Sequence, residues 1–113
     1  MLTIDKLRDF GADVDTGLGR CMNNEGFYLK LVEKSLGDKT YDRLKEAIGN
    51  NDLDEAFEAA HGLKGVLGNL SLTPIYDPIY EITELLRVRT EMDYSDKLGV
   101  IISKRDELAE LCK

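Results

Sequence analysis

Residues 52–70 have the sequence DLDEAFEAAHGLKGVLGNL, and this stretch decides the fold class. Its apolar residues recur at intervals of three and four, the period of an α-helix that buries one face. This stripe consists of Leu53, Ala56, Ala60, Leu63, Leu67 and Leu70. Such a pattern is typical of a helix in the seam of a helical bundle.

The helical period continues on both sides of this stretch, and no segment alternates as a β-strand would. It predicts helices over about 3–9, 13–22, 25–36, 40–48 and 95–112, with capping residues such as Thr3 and Asn24 at their starts. One more helix carries the stripe Ile75–Leu86. Its start is ambiguous: either Thr73 is its cap and Pro78 distorts the first turn, or it begins late with Asp77 as its cap.

Short turns separate these segments, so neighbouring helices should be antiparallel. We therefore predict an all-α fold, an antiparallel four-helix bundle with additional short N-terminal helices. The chain of 113 residues suits one domain, with the N-terminal helices over about 1–36 and the bundle over about 39–113.

Composition excludes several classes of function. The net charge of −7 argues against nucleic acid and against a polybasic membrane site. Cys21 and Cys112 lie far apart without a CxxC spacing, so we predict reduced thiols and no metal site. The sequence has no signal-peptide pattern and no membrane-spanning run, which favours a cytoplasmic protein. We expect it to be a monomer.

His61, the single histidine, lies on the side of its helix away from the apolar stripe. On a helical wheel it is about 125° from the centre of the stripe, so it should point to solvent. Lys64, Gly65 and Gly68 share its side of the helix. Each glycine inside a helix costs about 1 kcal/mol relative to alanine, so each needs a reason. Either they let helices pack closely, or they clear a surface for a partner; the outward direction of Gly65 favours the second explanation.

The segment His61-Gly62-Leu63-Lys64-Gly65 resembles the HxLKG pattern of histidine phosphotransfer (HPt) domains. The resemblance continues without gaps through Leu72 and Ile75 into the next helix. It implies that His61 accepts a phosphoryl group and donates it again, that Lys64 supports that group, and that Gly65 and Gly68 face the docking partner.

The chain departs from the HPt pattern at two positions. Ser71 stands where glycine is frequent in the family, and Thr83 stands where a glutamine or glutamate often holds the histidine ring. Thr83 has a shorter reach than either, so the ring-orienting group could instead be Tyr80 or Arg87.

The resemblance further implies a phosphoryl carrier in a two-component phosphorelay. The partner would be a response-regulator receiver domain, including the receiver of a hybrid histidine kinase, and the receiver would supply the aspartate and Mg²⁺. No cofactor is then expected on this chain. It also lacks a nucleotide-binding motif, so we expect no kinase activity of its own.

Two other functions compete with this interpretation. The chain could be a phosphate-independent helical adaptor, in which His61 is incidental and the glycine face binds another helix. It could also be a hydrolase that uses His61 as a base, although the spacing suggests no serine or cysteine nucleophile nearby.

Overall fold

The computed structural model describes all 113 residues and is entirely helical. Seven helices follow one another: α1 (Ile4–Phe10), α2 (Val14–Arg20), α3 (Glu25–Leu36), α4 (Thr40–Gly49), α5 (Leu53–Asn69), α6 (Thr73–Arg87) and α7 (Ser95–Leu111). In the bundle, α5 packs between α4 and α6, while α7 packs on α6 and also contacts α3 and α4. The predicted all-α helical bundle with additional N-terminal helices is confirmed.

Side-chain caps fix four of the helix starts. Thr3, Asp13, Asn24 and Asp52 each accept a hydrogen bond from the backbone N–H three residues later. Such a bond satisfies one of the N–H groups that the first helical turn leaves without a partner. These starts agree with the boundaries predicted from the sequence.

Helix α6 differs from both predicted starts. Leu72 occupies the cap position, Thr73 is the first helical residue rather than the cap, and Asp77 lies inside the helix. Pro78 is also inside, although a proline there removes a hydrogen bond and costs about 3 kcal/mol. The helix persists because its apolar stripe, including Ile75 and Ile79, is fully buried, and each such side chain gains about 1.5–3 kcal/mol on burial.

The core lies along the inner face of α5. The stripe residues Ala56, Ala60, Leu63 and Leu67 are buried against the neighbouring helices. Leu70, just past the helix, is buried too, while Leu53 at its start is only half-buried. The face that carries His61 is thereby directed outward.

Residues of the N-terminal part of the chain form hydrogen bonds with the backbone at the C-terminal end of α5. The buried Tyr28 hydroxyl donates to the carbonyl of Leu70 at 2.7 Å, and the Asp13 N–H donates to that of Ser71 at 3.0 Å. The Arg20 guanidinium donates to the carbonyl of Gly68. The bonds to Leu70 and Ser71 satisfy carbonyls just past the end of α5, which have no partner within the helix.

Ser71 ends α5 in a left-handed backbone conformation, with φ of 56°. Its N–H donates to the Gly68 carbonyl, and the Leu72 N–H donates to the Leu67 carbonyl, both at 3.1 Å. This is the Schellman arrangement, which favours glycine at the left-handed position. The chain therefore carries local backbone strain where serine replaces glycine.

Two predicted exclusions can be compared with the structure. Cys21 and Cys112 are both free, the first buried and the second half-buried. None of the helices combines the length and the apolar character needed to cross a bilayer.

Candidate functional site

His61 is exposed on the outer face of α5, as the helical wheel predicts. Its imidazole stacks on the ring of Phe57, one turn earlier, with 5.6 Å between ring centroids and 20° between ring planes. Residues four apart on a helix are neighbours, which brings these two rings together. The imidazole is therefore stacked on one neighbouring ring and exposed to solvent.

Lys64 supplies a cation one turn after His61. It is half-buried and forms no ion pair; its Nζ lies 5.6 Å from the centroid of the Tyr80 ring. Tyr80 in turn stacks on Tyr76, with ring centroids 6.1 Å apart. A cation over an aromatic face is stabilised by about 0.5–1 kcal/mol at exposed sites. Tyr80 thus contacts Lys64 and Tyr76. It makes no contact with the imidazole that would support the predicted orienting role.

The three glycines of α5 have different surroundings. A Cβ atom added at Gly62 or Gly65 would meet nothing within 4 Å, whereas one at Gly68 would lie 3.1 Å from Cε1 of Tyr76. Close packing against Tyr76 therefore explains the glycine at position 68, which is one of the two explanations that the sequence left open. Packing does not explain Gly65, because a side chain there would extend into open space. A docking role for either glycine stays a prediction.

The remaining two candidates for orienting the ring do not touch the imidazole directly. Thr83 is completely buried, and its hydroxyl donates to the Ile79 carbonyl of its own helix at 2.7 Å. The Arg87 guanidinium lies 5.2 Å from the centroid of Phe57 and pairs with Glu84. Arg87 thus lies against Phe57, the ring on which His61 stacks.

Sequence reasoning missed two residues of this site. Phe57 could have been found from its position four residues before His61 on the same helix. Arg89, whose guanidinium lies 5.0 Å from the Phe57 centroid and pairs with Asp54, lies beyond the end of α6 and has no periodic signal. With these residues included, the guanidinium groups of both Arg87 and Arg89 lie close to the Phe57 ring on which His61 stacks.

Two grooves flank the glycine side of α5. One, of about 450 Å³, has mostly polar walls and includes Lys64, Gly65 and Gly68, with Arg20 of α2 opposite. The other, of about 470 Å³, lies between α5 and α3 and includes Val66 and Leu31. Asn69 borders both. The C-terminal half of α5 is therefore a low ridge between two grooves.

Comparison with known families matches the bundle and its site. A family model for the Hpt domain covers residues 35–112, which include α4 to α7 and all of the residues around His61. The chain belongs to the Hpt domain family. Comparison with curated proteins and with solved structures finds no match. Membership in the Hpt family implies histidine phosphotransfer in two-component signalling and interaction with receiver domains.

Proposed function

We propose that this Hpt protein relays a phosphoryl group between the aspartates of two receiver domains, with a phosphohistidine at His61 as the intermediate. The observation that carries the proposal is one exposed histidine beside an open glycine and an unpaired lysine on a single helix face. In the family that the chain belongs to, this arrangement fits a histidine that a second protein must reach.

The reaction needs little from this chain beyond a positioned nucleophile. An imidazole nitrogen attacks the phosphorus of the receiver's aspartyl phosphate, a P–N bond forms, and the P–O bond to the aspartate breaks. The aspartate leaves as a carboxylate; the attacking nitrogen is the one that carries no proton, and the other ring nitrogen keeps its own. The return step is the same exchange with a second receiver's carboxylate as the nucleophile. Mg²⁺ on the receiver would neutralise charge on the phosphoryl oxygens, so this chain would act without a cofactor of its own.

Lys64 is the residue that we assign to the phosphoryl group. Its ammonium forms no ion pair in the structure and rests over Tyr80, from which it can turn toward the imidazole one turn away. Hydrogen bonds from a cation to phosphate oxygens are about twice as strong as neutral ones. The lysine should therefore stabilise the transferring group more than the free histidine.

The bare ridge of α5 is the surface that we assign to receiver docking. Reacting atoms must approach to about 3–3.5 Å in line, which requires the two backbones to come close. Gly65 leaves that space open, and the two grooves beside the ridge can accept the partner's flanking side chains. We further propose that the protein acts in the cytoplasm as a monomer, where receivers of two-component systems would meet it.

Substitution of His61 tests the function directly. The wild-type protein, incubated with a phosphorylated receiver, should acquire label that is stable in alkali and labile in acid. His61→Gln should acquire none and should keep its stability within about 0.5 kcal/mol, because the side chain is on the surface. If the receiver binds but no label appears on the wild type, the chain is a phosphate-independent adaptor and the proposal is wrong.

A further inference from the structure

We infer that Phe57 positions the imidazole of His61, and that Arg89 holds Phe57 in place from the turn that follows α6. The inference deepens the proposed function, since it assigns the groups that orient the phosphoryl-accepting ring. The sequence left this orienting role open between Thr83, Tyr80 and Arg87, and the inference assigns it to a different residue.

The first observation is that the imidazole is supported by a ring and by no hydrogen bond of the protein. Thr83, one of the candidates for orienting the ring, is buried and donates its hydroxyl to the carbonyl of Ile79. The contact that remains is the stack on Phe57, at 5.6 Å and 20°. Stacked aromatic pairs gain about 0.5–1.5 kcal/mol beyond the area they bury, which is enough to favour one orientation of an exposed ring.

The second observation is the backbone at Arg89. This residue has φ of 53°, its N–H donates to the Leu86 carbonyl at 2.9 Å, and the Thr90 N–H donates to the Leu85 carbonyl at 3.0 Å. Glycine is the usual residue at this position of a helix end, and a side chain costs about 1–2 kcal/mol in the left-handed conformation. The left-handed backbone sets the direction in which the Arg89 side chain leaves the end of α6.

The third observation shows what the Arg89 side chain does. Its Nε donates to the Asp54 carboxylate at 2.6 Å, and its Nη1 donates to the Leu86 carbonyl at 2.7 Å. These bonds tie the first turn of α5 to the end of α6 and hold the guanidinium 5.0 Å from the Phe57 centroid. Arg89, Phe57 and His61 thus form one connected row of contacts that crosses from α6 to α5.

Because the chain has a single histidine, NMR can report on this row without ambiguity. Ring-current shielding by Phe57 should displace the His61 ring-proton resonances upfield. Phe57→Leu should remove this displacement, and Phe57→Tyr should keep it. Arg89→Gly should reduce it in part, because Arg87 still covers the ring, while thermal stability holds or rises as the left-handed strain is relieved. Unchanged resonances in Phe57→Leu would overturn the inference, whether or not the protein carries phosphate.

Single-turnover transfer from a phosphorylated receiver, at saturating protein, then tests the consequence. Phe57→Leu should slow the bound-state step by about two- to tenfold, the factor that corresponds to the stacking preference, and Phe57→Tyr should restore it. Arg89→Gly should slow it by a smaller factor. Ile102→Ala, which truncates a half-buried residue of α7 that packs against the core, controls for loss of stability and should transfer at the wild-type rate.

The remaining outcomes separate this inference from the proposed function. If Ile102→Ala is as slow as Phe57→Leu, the effect is one of stability and the positioning role is wrong. If the variants weaken receiver binding but not the bound-state rate, these residues dock the partner and the inference again fails. If the wild type accepts no phosphate, the proposed function fails, while the NMR comparison still decides whether Phe57 and Arg89 orient the ring.

Discussion

Gly65→Gln should make the protein more stable and less active at the same time. A Cβ at this position meets nothing within 4 Å, so the new side chain enters solvent without a clash. Glycine is about 1 kcal/mol worse than alanine inside a helix, and glutamine is only slightly worse than alanine. The net gain is about 0.5 kcal/mol, which for a domain of this size raises Tm by about 2–4 °C.

The same side chain would stand one turn from His61, on the ridge where the receiver is proposed to dock. A misplacement of about 1 Å between reacting groups can cost about a hundredfold in rate. We therefore expect transfer from a phosphorylated receiver to fall by one to two orders of magnitude. Calorimetric unfolding and quenched-flow transfer, on one preparation, measure both effects.

Two other glycines of α5 are matched controls for this substitution. Gly62→Gln makes the same change at an equally open position that faces further from His61, so it should gain similar stability with a smaller loss of transfer. Gly68→Gln should gain less stability than Gly65→Gln, because its Cβ would lie 3.1 Å from the Tyr76 ring, which would have to shift. The reasoning is refuted if Gly65→Gln melts below the wild type, or if its transfer rate equals that of the wild type.

Three further substitutions test separate features. Lys64→Ala should slow bound-state transfer about tenfold, the scale of a lost charge-assisted hydrogen bond, with little change in the receiver's dissociation constant; a change in the dissociation constant alone would make Lys64 a docking residue. Ser71→Gly should raise the free energy of unfolding in urea by about 0.5 kcal/mol, because it relieves the positive φ, and a decrease would contradict the strain. Burial raises the pKa of the Tyr41 hydroxyl to about 12, from its ordinary value of 10.0 in an unfolded chain. Between these two values only the unfolded state ionises readily, so the free energy of unfolding should hold below about pH 10 and decline as the pH rises toward about 12. Tyr41→Phe should lose less stability over that range and should match the wild type at neutral pH, since the buried hydroxyl has no hydrogen-bond partner; equal alkaline losses would refute this cause.

The sequence was sufficient for features that depend on local periodicity. The stripe in α5 determined which face is buried, because a helix with apolar residues every three or four positions has one solution for its inner side. The same geometry placed His61 outside and Lys64 one turn away. Capping residues marked four helix starts, since each cap acts on an N–H only three residues along the chain.

Tertiary packing decided everything that depends on a neighbouring helix. The wheel treats Gly65 and Gly68 alike, and only the Tyr76 ring of α6 makes one a packing position and the other open. Pro78 is helical because burial of the α6 stripe outweighs a local penalty. Arg89 reaches Phe57 through a left-handed turn that no period predicts. A sequence pattern specifies the direction of a side chain from its own helix, but the partner it meets depends on how the helices pack together.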